Sequence, residues 1–190
     1  MFLVWQKING MELSKELQID EATALSFSDI SKILSGRVKH LSCVYIDLEN
    51  YKKDYTPEAM LGKHNVAAIL LTVKLDRKIQ RHWTALLRLP RKGRDQYQFF
   101  DSLALKWPVL SDLLNDGGKF VSFLKSINAR PSVKQVQEHM RKVRTCGAWV
   151  AIRAAKYKLT NTEFVRWILS MRGMHGDQVV IMLCYLGLLT

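Results

Sequence analysis

The chain has 190 residues, 48% of them hydrophobic, which is enough to build the core of a single domain, 1–190. No apolar run is long enough to span a membrane, and Met1–Trp5 is too short and not basic enough for a signal peptide, so we expect a protein that is kept inside a cell. Three widely spaced cysteines, Cys43, Cys146 and Cys184, argue against a disulfide framework and against a bound metal.

The N-terminal part, residues 1–60, is predicted to be mainly helical. Apolar residues in 11–35 recur near helical spacing, and Ser26 and Ser28 indicate the cap of a second, short helix. Residues 50–64 are polar and contain Pro and Gly, so we predict a loop with at most one helical turn.

Strands are predicted in the middle of the chain, where apolar or alternating runs are bounded by polar links and turns. In chain order they are residues 44–48 (a strand or an extended segment), 65–73 (a central strand), 80–89, 97–101 and 132–137, with a polar link at 76–81.

Two of these strands form a predicted hairpin around the turn at 90–95. His82 lies near the start of the first strand, and Asp101 closes the second. A hairpin brings those two positions together, so we expect His82 and Asp101 to be cross-strand neighbours. A histidine beside a buried carboxylate has the base-and-orienter arrangement of a catalytic triad.

Cys146 is predicted at the start of a buried helix, because Thr145 is a plausible N-cap and apolar residues follow. The positive end of a helix dipole stabilises an anion, and the thiolate is the reactive form of cysteine. Arg144 adds positive charge next to it. Cys146 is therefore a candidate nucleophile. The alternative is a buried, inert cysteine, which is how Cys43 and Cys184 are interpreted.

Helices are also predicted on both sides of this element, at 105–114, 119–127, from the capping region 160–163 through Met171, and over 179–189. This order of elements predicts an α+β fold. A small, mostly antiparallel sheet would hold His82 and Asp101, helices would flank it, and Cys146 would lie at the N-terminus of a central helix.

Three short motifs follow one another in the order His82-Trp83, Phe100-Asp101-Ser102-Leu103 and Thr145-Cys146-Gly147. Ordered and spaced in this way, they resemble the adenain and SUMO-protease superfamily of cysteine proteases, most closely the maturation proteases of virophages and Polinton-type elements. The resemblance runs from about residue 25 to about residue 158. It implies the adenain-like fold, with a catalytic core at 61–158 and C-terminal helices at 159–190.

The resemblance also implies a role for each site residue. Cys146 would be the nucleophile of an endopeptidase, His82 its base and Asp101 the residue that orients the histidine. The family adds a glutamine upstream of the nucleophile as an oxyanion donor. Gln137 is our first choice and Gln135 the second. Periodicity does not separate them, because on a strand the two would share a face. The gap from Gln137 to Cys146 is longer than in the cellular SUMO proteases.

Other histidines and carboxylates are less well placed for these roles. His139 is the rival base, Asp47 and Asp76 are alternative orienting carboxylates, and the remaining histidines, His40, His64 and His175, are expected to be solvated. In related SUMO proteases the Trp after the catalytic His narrows a channel over the substrate. By that resemblance, Trp83 implies a preference for Gly or another small residue just before the cut.

Basic residues form two clusters. Residues 1–60 hold seven Lys and Arg against nine Asp and Glu, a balance of −2, so the remainder carries +14. Residues 77–94 hold seven basic residues and no acidic one, and 125–144 hold six against Glu138. Such clusters attract DNA through counterion release, although an ordinary solvated basic surface has the same composition. The resemblance to the adenovirus protease, which uses DNA as a cofactor and track, implies DNA as an activator; the sequence indicates no other cofactor.

Three functions stay open at this point. The first is an endopeptidase that cleaves viral capsid or other structural precursors, located in the virion and the host-cell cytoplasm. An isopeptidase for SUMO or ubiquitin-like modifiers would use the same chemistry on another substrate. A basic nucleic-acid-binding module would retain the Cys-His-Asp set only as structure.

Overall fold

Helices cover both faces of a mixed sheet. The structure, a computed structural model, describes residues 22, 24–37, 43–75, 78–91, 93–138, 143–171 and 173–188. Within these ranges the strands are β1 (Cys43–Asp47), β2 (Val66–Leu75), β3 (Lys78–Arg91), β4 (Arg94–Phe100) and β5 (Arg130–Pro131). The helices are α1 (Phe27–Arg37), α2 (Pro57–Leu61), α3 (Trp107–Leu114), α4 (Lys119–Ser126), α5 (Cys146–Ala155), α6 (Asn161–Leu169) and α7 (Gly176–Leu188). None of these described helices is long and apolar enough to cross a membrane.

The five strands lie in the order β1-β2-β3-β4-β5. The central strand, β3, pairs antiparallel with β2 and with β4, whereas β1 and β5 add to the two edges in parallel. The predicted α+β class is confirmed. The sheet is antiparallel in its three long strands, and the short edge strands make it mixed.

The two faces of the sheet bury separate apolar clusters. On β3, Ala85 and Leu87 belong to the cluster that includes α1, α5, α6 and α7, while Leu86 belongs to the cluster with α2, α3 and α4. Because side chains alternate along a strand, a strand covered on both faces needs an apolar residue at every position. The continuous apolar run at 66–71 meets that requirement on β2.

Two predicted boundaries are wrong. The polar link predicted at 76–81 is strand from Lys78 onward, since β2 and β3 stay paired as far as Leu75 and Lys78. Residues 132–137 are irregular and not a strand, and β5 ends at Pro131. Their polar groups bind the turn after β4 instead of a ladder: the Ser132 hydroxyl accepts from the Asp101 N–H at 3.0 Å. The single helical turn predicted within 50–64 is α2.

The end of α5 is fixed to the sheet by a buried polar network. Burial lowers the pKa of the Arg153 guanidinium to about 9, although the negative charge of Glu163 acts in the opposite direction. Arg153 donates to the carbonyl of Leu159 at 2.7 Å and to Asn161 Oδ1 at 3.2 Å. The Asn161 amide in turn donates to the carbonyl of Phe99 on β4 at 3.0 Å. The predicted cap of α6 is present as a capping box of Thr160 and Glu163.

Candidate active site

The predicted hairpin is confirmed, and it brings His82 and Asp101 together. The last paired residues of β3 and β4 at this end are Ala85 and Phe100. Asp101 follows directly, and His82 lies a short way upstream on β3. His82 Nε2 is 2.7 Å from Asp101 Oδ1, and the two residues are 7% and 1% exposed. A hydrogen bond of this length in a site closed to water holds the imidazole ring in one orientation.

Asp101 is held in place by its own hydrogen bonds. Its carboxylate accepts from the backbone N–H of Leu103 and of Leu105, each at 2.9 Å. Burial alone would raise the pKa of Asp101, but the hydrogen bond and charge of His82, together with these two N–H groups, lower it below the usual range. Asp101 is therefore an ionised acceptor for His82.

Cys146 opens α5 and is 9% exposed. Burial alone would raise the pKa of its thiol, but the hydrogen bond and charge of His82, and then the N–H groups of Trp83 and Gly147, lower it. Burial would likewise lower the pKa of His82, but its hydrogen bonds to Asp101 and Cys146 raise it to about 10. Both directions favour a thiolate beside an imidazolium near neutral pH.

Thr145 precedes α5 as predicted, but its side chain does not cap the helix. No side-chain cap hydrogen bond is made there, and the residue has φ −84° and ψ 0°, outside the extended region typical of an N-cap. Its hydroxyl donates instead to Asp177 Oδ1 on α7. The helix start is therefore stabilised by a tertiary contact and not by a local cap.

Gln137 and Gln135 are separated by burial. Gln137 is 7% exposed, and its side-chain oxygen accepts from the Ser102 hydroxyl at 2.7 Å, which leaves its amide N–H groups as the donors. Gln135 is exposed and donates to the Gln137 carbonyl at 2.9 Å. The expectation that both share a strand face is wrong, because no strand forms here. The Gln137 side chain is thereby hydrogen-bonded to Ser102, the residue that follows Asp101.

Trp83 packs against the start of α5. It is buried, and its indole N–H donates to the carbonyl of Leu25 at 2.9 Å. A Cβ atom on Gly147 would lie 2.9 Å from Leu25 Cβ and 3.3 Å from Trp83 Cδ1. The residue after Cys146 must therefore be small. Tyr45 extends this aromatic surface, with its ring centroid 5.7 Å from that of Trp83.

The structure describes three of the other residues considered above. Asp47 accepts from the Glu49 N–H at 3.2 Å and from Asn50 at 3.0 Å. His175 is exposed, with Nδ1 3.7 Å from a Glu138 carboxylate oxygen, while His64 is half-buried. The alternatives His40, Asp76 and His139 lie outside the described residues.

The other two cysteines lie in different surroundings from Cys146. Burial raises the pKa of Cys43 to about 11, although a hydrogen bond from the Ala68 backbone opposes the shift. Cys184 is 5% exposed on α7, and its thiol lies 3.8 Å from the Ala148 carbonyl. Among the described residues, no group of His, Cys, Asp and Glu could hold a metal ion.

Sequence reasoning missed Ser102, Ser132 and Asp177. Ser102 binds Gln137, Ser132 binds the backbone of Asp101, and Asp177 binds Thr145. Ser102 itself belongs to the motif Phe100-Asp101-Ser102-Leu103, which is a usable clue, but no role was predicted for it. For Asp177 the sequence indicates only an acidic residue near the start of a helix, because its partners lie in distant segments.

A cysteine at the start of a buried helix, beside a His–Asp pair at the end of a hairpin, is the arrangement that the resemblance to the adenain and SUMO-protease superfamily implies. No protein-family model matches the chain, and no curated protein sequence matches it significantly. A selenomethionine crystal structure of the ASFV pS273R protease is similar, with a TM-score of 0.50 and 13% identity over 96% of this chain and 76% of that one. A second crystal structure of that protease gives a TM-score of 0.47 and 12% identity over 88% and 68%. The first of these alignments shows that this chain shares the fold of that protease.

Proposed function

We propose that this chain is a cysteine endopeptidase that cleaves viral structural precursor proteins during virion maturation. The observation that supports it most is the buried line of hydrogen bonds from Asp101 through His82 to Cys146 at the start of α5. The likeness of the fold to that of a viral protease supports the viral context. The resemblance of the motifs to virophage and Polinton-type proteases supports the substrate class.

In the proposed reaction each residue acts through a stated atom. Asp101 accepts from His82 Nε2 and so leaves Nδ1 for Cys146. The Cys146 thiolate attacks the carbonyl carbon of the scissile peptide bond, and the imidazolium then protonates the leaving amine. A water molecule, deprotonated by His82, hydrolyses the thioester and releases the carboxylate product. The raised pKa of His82 favours the imidazolium that the amine needs.

The tetrahedral intermediate needs preorganised hydrogen-bond donors. We assign this role to the backbone N–H of Cys146 and the amide N–H of Gln137. Gln137 fits because its oxygen is occupied by Ser102, which fixes which end of the carboxamide donates. Removing one such donor lowers acyl transfer by about 100- to 1,000-fold in known cases.

Co-expression with candidate viral structural precursors tests the function. The intact protein is expected to cleave a precursor, and the Cys146→Ala variant is expected to leave it whole with the fold unchanged, because a thiol-to-methyl change costs little packing. Cleavage by the Cys146→Ala protein would falsify the assignment of the nucleophile. A cut that releases only a ubiquitin-like modifier would point to the isopeptidase instead.

We also propose that DNA is a partner and activator. Seven described basic side chains from the two charged segments are exposed: Arg81, Arg91, Arg94, Lys125, Arg130, Lys134 and Arg144. Arg88 is not available, since it donates to the carbonyls of His64 at 2.8 Å and Gly62 at 3.1 Å. An exposed cluster of this kind binds phosphate without reading bases, so its affinity depends strongly on salt.

A further inference from the structure

Asp177 is a buried carboxylate that the proposed reaction does not use. It lies in the first turn of α7 and has no exposed surface. Oδ1 accepts from the Thr145 hydroxyl and from Trp149 Nε1 at 2.8 Å. Oδ2 accepts from the Glu138 N–H at 2.7 Å. All of these partners come from outside α7.

These partners flank the two halves of the candidate site. Thr145 immediately precedes Cys146, and Trp149 lies one turn further along α5. Glu138 immediately follows Gln137. One carboxylate therefore connects the helix of the nucleophile with the segment of the oxyanion donor.

The packing around Asp177 brings its partners within reach. A Cβ on the preceding residue, Gly176, would lie 2.9 Å from Trp149 Cζ2 and 3.2 Å from the Val136 carbonyl. The start of α7 is thus wedged between α5 and the backbone before Gln137. Because residue 176 is a glycine, the start of α7 approaches both neighbours closely, and Asp177 can hydrogen-bond to α5 and to the segment of Gln137.

Gln137 itself lies in a segment without a strand or helix to hold it. Ser102 fixes one side: its carbonyl accepts from the N–H of Val136 at 2.9 Å and of Gln137 at 3.1 Å, and its hydroxyl donates to the Gln137 side chain. Asp177 fixes the other side through Glu138. An oxyanion donor must be held to within about 0.5 Å to be effective.

We infer that Asp177 is a positioning residue that sets the Gln137 amide relative to Cys146. The inference rests on the proposed function, because it assigns Asp177 an effect on the same acyl transfer. It acts through Gln137 and does not touch the substrate. Substitution of Asp177 should therefore slow a reaction that forms an oxyanion more than a reaction that does not.

Two probes of Cys146 separate these reactions. With iodoacetamide the thiolate forms a bond to carbon and expels iodide, and no oxyanion develops. With acetyl-Gly-Gly 4-nitrophenyl ester the thiolate adds to the carbonyl carbon, and the carbonyl oxygen becomes the oxyanion. Collapse expels 4-nitrophenolate and leaves a thioester on Cys146. The ratio of the acylation rate to the alkylation rate reports the oxyanion donors alone.

Asp177→Asn is the first variant. Its remaining oxygen still accepts from Thr145 and Trp149, but an NH₂ group now faces the Glu138 N–H. We expect the ratio to fall about tenfold, with alkylation within about twofold of wild type. In a Gln137→Ala background the same change is expected to lower the ratio no further, because residues that act as a unit are not additive. Equal falls in both backgrounds, or an unchanged ratio in folded Asp177→Asn protein, overturn the inference.

Glu163→Gln is the matched control, since Glu163 is also a carboxylate in the first turn of a helix, α6, away from the site. Its ratio is expected to stay at the wild-type value; an equal fall there shows a general loss of structure and overturns the inference. If Asp177→Asn does not fold, Thr145→Val removes one donor with little change of shape. It is expected to lower the ratio about threefold, and an unchanged ratio overturns the inference. Wild-type protein without Cys146-dependent acylation overturns the protease function as well, whereas active wild type with an unchanged ratio overturns only the role of Asp177.

Discussion

Each end of the β3–β4 hairpin pairs an Asp with a basic side chain, but the two pairs differ in burial. At one end Asp101 is buried, accepts three hydrogen bonds and binds His82 at 2.7 Å. At the other end the side chain of Asp95 is 42% exposed and lies 3.9 Å from Arg88 Nε. Exposed pairs of this kind contribute about 0–1 kcal/mol, whereas a buried, hydrogen-bonded carboxylate fixes its partner and shifts its pKa. Burial therefore distinguishes the two Asp residues, and the proposed reaction belongs to the buried end.

The largest expected effect is that of His82→Ala. The variant is expected to lose peptide cleavage by at least about 100-fold, since it removes the base and the partner of the thiolate. Without the imidazolium only the N–H groups of Trp83 and Gly147 oppose the effect of burial, so the pKa of the Cys146 thiol rises. Iodoacetamide labelling of wild type should persist as the pH falls below the ordinary thiol range, and labelling of the variant should appear only as the pH rises through that range.

His139→Ala is the control for that experiment, and most of the cleavage activity should survive it. If His139→Ala is the inactive variant and His82→Ala the active one, His82 is not the base and the proposed role of the hairpin is wrong. Labelling is read against Cys146→Ala protein, which reports any reaction of Cys43 and Cys184.

Asp101→Asn and Asp95→Asn compare the two ends of β4 directly. Asn keeps the shape of Asp101 but removes its charge and favours the wrong tautomer of His82, so we expect kcat to fall by about 100-fold or more. Asp95→Asn should stay within about twofold, because its ion pair is exposed. Steady-state peptide kinetics on both variants decide the comparison. Equal losses would mean that the whole hairpin, and not its buried end, supports activity.

Two glycines extend the comparison to smaller effects. Gly147→Ala places a methyl group 2.9 Å from Leu25 Cβ and 3.3 Å from Trp83 Cδ1, so Leu25 or the start of α5 must shift, and we expect roughly a tenfold loss of kcat/KM. Gly93→Ala, in the turn, meets no atom within 4 Å but has φ +86°. It should cost about 1 kcal/mol of stability and leave kcat/KM unchanged. Thermal unfolding and peptide kinetics together distinguish strain in the fold from displacement in the site.

The smallest expected effect on catalysis comes from the far end of the hairpin. Arg91 lies about 30 Å from His82 along β3, at about 3.3 Å per residue. Replacing Arg91, Lys92 and Arg94 by Glu should leave cleavage of a short peptide unchanged. Binding to duplex DNA should weaken at least about tenfold on every sequence alike, with a shallower salt dependence, because fewer counterions are released.

A fluorescence-anisotropy titration at two salt concentrations measures that binding. Wild type should lose affinity steeply as salt rises. If the protein does not bind DNA at low salt, or if salt does not change the affinity, the proposal that DNA is a partner is wrong. The protein would then be a protease with a basic surface.

Local patterns predicted the hairpin and the place of Cys146 because both depend on neighbouring residues. The apolar run around His82, the turn at 90–95 and the aromatic strand before Asp101 fix one pairing, and the register follows from it. The same kind of reasoning failed at 132–137. There the alternation of apolar and polar residues is typical of a strand, but the backbone of the segment binds the carbonyl of Ser102 instead.

By itself, the sequence determined the class of fold, the hairpin that brings His82 and Asp101 together and the helix that begins at Cys146, since periodicity and turn chemistry act over a few residues. That Cys146 joins this pair was implied only by the resemblance to known cysteine proteases. Only the tertiary structure decided that Gln137 is buried while Gln135 is exposed, and that Thr145 binds Asp177 instead of capping its own helix. These outcomes depend on contacts between segments 32 or more residues apart. Which distant polar group reaches a buried donor is set by how whole helices pack, and no local pattern encodes that.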